Sequence, residues 1–210
     1  VDSAFGEFSS SVNGTSYPGS FIDSGSNGFF YGTKLFAACP PSSSFPGFYC
    51  PPAPQLQNGF LDPSGVNLPV NFTVANPNLL VPAFPTTTAD AELAGPGFGG
   101  VDFGLPLFFG RSIYTAIEGK NITANGLWVG VISGSVSSGG TNQIPVVVDA
   151  GPPGVHAING PYVSVTLCAP GTTNCQTIDH LLVDTGASGV RVLANVLQPA
   201  LLAALPLSTP

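Results

Sequence analysis

Charge is scarce in this chain: Asp, Glu, Lys and Arg together make up 7% of its 210 residues, against roughly 25% in an ordinary soluble protein. The shortage is sharpest on the basic side. Lys34, Lys120, Arg111 and Arg191 are the whole complement of Lys and Arg, and they lie far apart. No nucleic-acid partner is expected, because counterion release needs clustered basic groups. Other sites are missing too. Gly95-Pro96-Gly97-Phe98-Gly99-Gly100 lacks the spacing of a nucleotide loop, and no helix pattern follows it. His156 and His180 have no Cys, His or carboxylate at ligand spacing, so no metal and no cofactor are expected. No serine stands in a nucleophile-elbow context near Asp179-His180, which argues against a hydrolytic triad. The apolar run from Leu201 to Leu207 is short and broken by Pro206, so no transmembrane segment is expected. No signal peptide is visible at Val1, and the chain reads as mature and soluble.

The abundant residues point the other way. Twenty-seven Gly and 22 Pro cut the chain into short segments, yet 43% of it is hydrophobic, with 15 Phe. A disordered chain is poor in apolar residues and rich in charge, so this one is expected to pack a core; Trp128 and the Phe side chains read as packing rather than as a ligand cage. The length suits one all-β domain or two small lobes. With a net charge of −7 carried by few carboxylates, acidification disturbs little, which suits an acidic exterior or an assembly where charge repulsion is unwelcome. Cys39 with Cys50 and Cys168 with Cys175 each bracket a turn-rich stretch. Two local disulfides are expected, placing the protein outside the cytosol, secreted or on a cell surface.

Along the chain, Ser16 to Phe36 reads as strand, tight loop, strand. Ala38 to Pro69 reads as a disulfide-pinned loop region, and Val70 to Leu80 as a half-buried strand by the alternation of Val70, Phe72 and Val74. Phe103 to Glu118 is dense in strand formers. Residues 130–142 have linker composition and divide the chain into a lobe of residues 1–129 and a partial lobe of residues 143–210. In the second part Ile144 to Val148, Tyr162 to Leu167 and Thr177 to Val183 read as strands, and Val190 to Leu205 as a strand that ends in a short helix.

Two loops carry chemistry. Phe21-Ile22-Asp23-Ser24-Gly25-Ser26-Asn27-Gly28 and Leu182-Val183-Asp184-Thr185-Gly186-Ala187-Ser188-Gly189 share one pattern: two apolar residues, Asp, Ser or Thr, Gly, two small or polar residues, Gly. One such triplet is common in turns; two, each after an apolar strand, point to paired aspartates. Close carboxyls cannot both ionise, so they share a proton. One then acts as general base on a water while the other polarises a carbonyl. Ser24 and Thr185 can brace the loops by hydrogen bonding, while Gly25 and Gly186 let the backbone turn close to the carboxyls.

On these motifs the sequence resembles the pepsin-like and retropepsin-like aspartic peptidases. Asp102-Phe103-Gly104 followed by Ile113 to Glu118 looks like the segment and final strand pair that close the second pepsin lobe. More closely, the chain resembles an uncharacterised bacterial secreted family with paired motifs. In that family the stretch from Val146 through Cys168, Cys175, His180 and Asp184 comes first, and the lobe with Asp23 comes last. The order here is reversed, as though permuted through residues 130–142, and the chain after Asp184 is too short for the flap hairpin that covers pepsin-like sites. The resemblance implies a mostly all-β fold of β-barrel lobes, one nearly complete and one truncated. It also implies a secreted aspartic endopeptidase acting on polypeptides through Asp23 and Asp184 without a cofactor. The alternative is a catalytically silent extracellular assembly protein on the same fold, self-associating into strand-exchanged homo-oligomers or filaments through the edges of the truncated lobe.

Overall fold

The computed structural model describes residues 6–62, 65, 67–83, 86–115, 129–133, 142–187 and 189–206. The fold is mostly β. In chain order the strands are β1 (Phe8–Val12), β2 (Thr15–Ile22), β3 (Phe29–Phe30), β4 (Gln55–Gln57), β5 (Gly59–Asp62), β6 (Leu68–Pro69) and β7 (Phe72–Val74). They continue with β8 (Ala94–Gly95), β9 (Asp102–Phe103), β10 (Arg111–Thr115), β11 (Val129–Ser133), β12 (Val147–Asp149), β13 (Gly160–Cys168) and β14 (Cys175–Leu182). Two short helices, α1 (Pro77–Ala83) and α2 (Pro199–Ala204), complete the set.

Seven strands form one sheet in the order β6-β5-β1-β2-β9-β3-β8. It is an open sheet among the described residues, ending at β6 and β8. Its first hairpin turns at Asn13-Gly14, both with positive φ, 49° and 80°, the backbone that a two-residue turn between twisted strands requires. Phe8, Ser10 and Val12 point inward, and the one polar member is satisfied, because Ser10 Oγ meets Ser20 Oγ at 2.6 Å. Phe8, Phe29, Tyr31, Phe72, Val101 and Phe103 anchor the buried core, with Phe29 stacked on Phe72 at 4.2 Å between ring centres. The insertion of β9 between β2 and β3 matters most for the site. It runs parallel to β2, with Phe21 opposite Asp102 and Ile22 opposite Phe103, and antiparallel to β3. Phe103 is fully buried, so strand alternation turns Asp102 to the other face.

Several expected elements come out differently. The run read as a strand from Val70 to Leu80 stops at Val74, because Pro77 opens α1 and the Asn76 side chain accepts the Asn78 N–H at 3.0 Å as a helix cap. The run from Phe103 divides into the end of β9, a 3-10 turn over Leu105–Phe108 with Pro106 in its first turn, and β10; residues 116–118 lie outside the described residues. The stretch expected as linker, 130–142, begins in β11, which pairs antiparallel with β10. Residues 134–141, Trp128 and Ser188 lie outside the described residues. Val190 to Leu205 holds no strand: a 3-10 turn at Ala194–Val196 is followed by α2, opened by Pro199.

The second part of the chain forms a three-stranded sheet, β12-β13-β14. Both expected disulfides are present, Cys39–Cys50 and Cys168–Cys175. The second ties the turn end of the β13–β14 hairpin, where the two cysteines are cross-strand partners.

Candidate active site

Both motif loops are built alike. After β2, Asp23 is held to β9 by its N–H donating to Phe103 O at 3.1 Å, and Ser26 N–H returns to Asp23 O at 3.2 Å. The Asp23 carboxyl accepts the Gly25 N–H on Oδ1 at 2.8 Å. After β14, Val183 N–H donates to Pro161 O at 2.8 Å, and Asp184 Oδ1 accepts the Gly186 N–H at 2.8 Å. Each Asp thus closes an Asx turn on its own glycine, which fixes one carboxyl oxygen.

The residues after the aspartates bind the loops to each other. Ser24 N–H donates to Thr185 Oγ1 and Thr185 N–H donates to Ser24 Oγ, both at 3.0 Å. The hydroxyl protons cross the same divide: Ser24 Oγ–H donates to Val183 O at 2.8 Å and Thr185 Oγ1–H to Ile22 O at 3.5 Å. Ser24 is buried at 3% exposure, so these bonds are formed away from water, where a missing partner is expensive. The two glycines make room for the carboxyls. A Cβ on Gly25 would stand 2.6 Å from Asp184 Cγ, and one on Gly186 would stand 3.1 Å from Asp23 Cγ. Each carboxyl therefore rests against the other loop's glycine, and the Asp184 carboxyl lies within hydrogen-bonding reach of Asp23. All six motif residues named from the sequence, Asp23, Ser24, Gly25, Asp184, Thr185 and Gly186, meet at one place.

The electrostatics are those of crowded acids. Burial raises the Asp184 carboxyl above its ordinary range, and the hydrogen bond and negative charge of Asp23 raise it further. A third carboxyl, Asp102, is pushed up to about 6, first by burial and then by Asp23 and Asp184, against a lowering contribution from Ser26. Ser26 Oγ lies 3.0 Å from Asp23 Oδ2 and 2.5 Å from Asp102 Oδ2.

Three residues of the site region were not singled out as site residues from the sequence. Asp102 and Ser26 are two; Asn159 is the third. Its buried amide donates to Asn27 O at 2.8 Å and Asp90 O at 2.6 Å and accepts the Asp90 N–H at 2.6 Å. Ser26 directly follows Gly25 in the first motif loop and carried a local signal. Asp102 and Asn159 act at sequence separations of 76, 132 and 69, and a one-dimensional pattern carries no signal for them.

Two depressions flank the carboxyls. One, of about 410 Å³, is lined by Gly25, Asn27, Phe45, Phe48, Tyr162 and Leu182; the Cys39–Cys50 bridge pins the loop that supplies the two Phe rings. His156 lies on its wall. The other, of about 840 Å³, is lined by Asp184, Ile144, Val163, Leu181, Val190 and Arg191. His180 meets the carboxylate of its neighbour Asp179, with Nδ1 2.7 Å from Oδ2, and that of Asp149, which sequence spacing did not disclose, with Nε2 3.4 Å from Oδ2. The Ser164 hydroxyl is the main cause holding Asp179 below its ordinary range.

A family model described as a protein of unknown function (DUF3443) matches residues 1–129 and 138–209, nearly the whole chain, so the chain belongs to that family. No curated protein and no solved structure matches it.

Proposed function

We propose that this member of the DUF3443 family is a secreted aspartic endopeptidase-like protein of pepsin-like or retropepsin-like type, with residues 1–129 as one lobe and 143–210 as a partial second lobe. The observation that carries this reading is the reciprocal bracing of Ser24 and Thr185, which holds Asp23 and Asp184 carboxyl to carboxyl. In the reaction a water lies between the two carboxyls. The ionised one takes a proton as the water oxygen attacks the scissile carbonyl carbon, and the protonated one donates a hydrogen bond to the carbonyl oxygen. The 410 Å³ depression with Phe45, Phe48 and Tyr162 on its walls gives a polypeptide side chain a place beside that water. No cofactor takes part.

The test is hydrolysis of a denatured protein from about pH 3 to pH 7, the range over which a carboxyl dyad titrates. The expected result is cleavage at acidic pH that Asp23→Asn and Asp184→Asn each reduce by about a thousandfold or more, as loss of a member of a concerted pair does. No cleavage at any pH rejects the reading. A second reading, a silent extracellular assembly protein on the same scaffold, is favoured by the apolar side chains left exposed on the second part of the chain, among them Ile144, Val147, Val190 and Leu193.

A further inference from the structure

The Ser26 hydroxyl has one hydrogen and two carboxyls to serve. It stands between Asp23 Oδ2 at 3.0 Å and Asp102 Oδ2 at 2.5 Å, and a hydroxyl donates once. With both carboxyls ionised, one of these contacts would set lone pair against lone pair, in a part-buried place that water screens only in part. A hydrogen on Asp102 removes the conflict. Asp102 Oδ2–H then donates to Ser26 Oγ, and Ser26 Oγ–H donates to Asp23 Oδ2. The remaining oxygen supports the same assignment: Asp102 Oδ1 is buried with no hydrogen-bond partner among the described residues. That is tolerable for the carbonyl oxygen of a neutral carboxyl and costly for half of a carboxylate.

We propose that Asp102 is a third, neutral carboxyl of the site, a positioning residue that acts through Ser26 to hold Asp23 as an acceptor and thereby leaves the dyad's shared proton on Asp184. The chain of bonds has a direction. Asp23 accepts on Oδ1 from Gly25 N–H and on Oδ2 from Ser26, so both of its oxygens already have donors and the hydrogen between the two aspartates belongs to its partner. When Asp102 ionises, it becomes the stronger and nearer acceptor for the Ser26 hydrogen. Asp23 Oδ2 loses its donor, and a third negative charge stands beside the pair. The groups acting on Asp102 are Asp23 from the loop after β2 and Asp184 from the loop after β14; β3, on the other side of β9, presents Phe29 and Phe30. The raised titration of Asp102, to about 6, agrees with the geometry. The catalytic consequence rests on the peptidase reading; the hydrogen-bond chain does not.

The experiment is a carboxyl ¹³C NMR titration of aspartate-labelled protein from about pH 3 to pH 8, on the full chain, Asp102→Asn and Ser26→Ala, with kcat/KM measured over the same range. A resonance titrating well above the ordinary aspartate range, absent from D102N, is expected, together with a second step in the Asp23 and Asp184 signals at the same pH. D102N, whose amide N–H always donates to Ser26, should lack that second step, and S26A should keep the raised resonance while weakening its echo at Asp23. The wild type should lose about tenfold in kcat/KM for each pH unit above the Asp102 titration, and D102N should lose much less. An Asp102 resonance in the ordinary range, or dyad signals indifferent to D102N, overturns the proposal; if D102N does not fold, the wild-type and S26A titrations decide it. A chain with these titrations and no turnover would reject the peptidase reading alone, and an active chain without them would reject this proposal alone.

Discussion

Asp90, Asp102 and Asp184 share one direction of perturbation: burial is the largest cause for each, and each carboxyl is raised. A raised acid binds its proton more tightly folded than unfolded. Such a group contributes its full stability below the unfolded value, and that contribution is lost as pH rises through the folded one. For Asp102 the window runs from 3.8 to about 6. A shift of that size corresponds to about 3 kcal/mol when fully expressed, and about 2 kcal/mol after solvent screening of a part-exposed group. The chain should therefore be more stable in urea at about pH 4 than at about pH 7, and D102N should narrow that gap by about 2 kcal/mol. Equal midpoints for the wild type at the two pH values, or a gap that D102N leaves intact, would count against it. At this scale the dyad was legible because Asp, Ser or Thr and Gly are adjacent, and a local triplet repeats. Asp102 was legible only as part of a strand-like segment, since its role arises from β9 sliding between β2 and β3.

Among the elements, a second join between the two parts of the chain, beside the Ser24–Thr185 bracing, is made at one turn. Asn159, in the left-handed region at φ 60°, precedes β13. It gives its backbone N–H to Thr88 O at 2.8 Å and its amide to Asn27 and Asp90. Thr88 Oγ1–H in turn donates to Val148 O at 3.1 Å, in β12. These bonds seat the β12-β13-β14 sheet against the Asp23 loop, so they set the spacing of the dyad as well as stability. Asn159→Ala leaves buried carbonyls and an N–H without partners and should cost about 3 kcal/mol, or roughly 6–12 °C in melting temperature for a chain of this size. A melting temperature within about 2 °C of wild type would rule out the clamp. The elements that sequence placed well, β2, β13 and β14, are those whose apolar residues also find a paired strand. Val190 to Leu205 reads from composition as starting in a strand, but it has no partner strand among the described residues; Gln176 instead engages it, donating to Val196 O at 2.9 Å and accepting Gln198 N–H at 2.7 Å.

Over the whole molecule, apolar burial is uneven. The first part of the chain supplies every member of the core cluster. In the second part, Ala169, Ile178 and Leu201 are the buried hydrophobic side chains among the described residues, while Ile144 at 55%, Val147 at 55%, Val190 at 69% and Leu193 at 73% face outward. Among the described residues the three-stranded sheet also ends in two edges, β12 and β14. Soluble chains guard such edges with Lys and other charges, and this one has four Lys and Arg in all. Exposed apolar side chains beside an unpaired strand edge are normally covered in the working state, and a second copy offers matching edges. The expected outcome is reversible self-association at micromolar concentration, read by sedimentation velocity as a weight-average mass that rises with loading. Val147→Lys, which places a charge on the β12 edge and lies outside the dyad, should shift the population toward monomer by about tenfold in dissociation constant, the effect of about 1.4 kcal/mol. A single monomeric species across the concentration range would remove the argument for assembly.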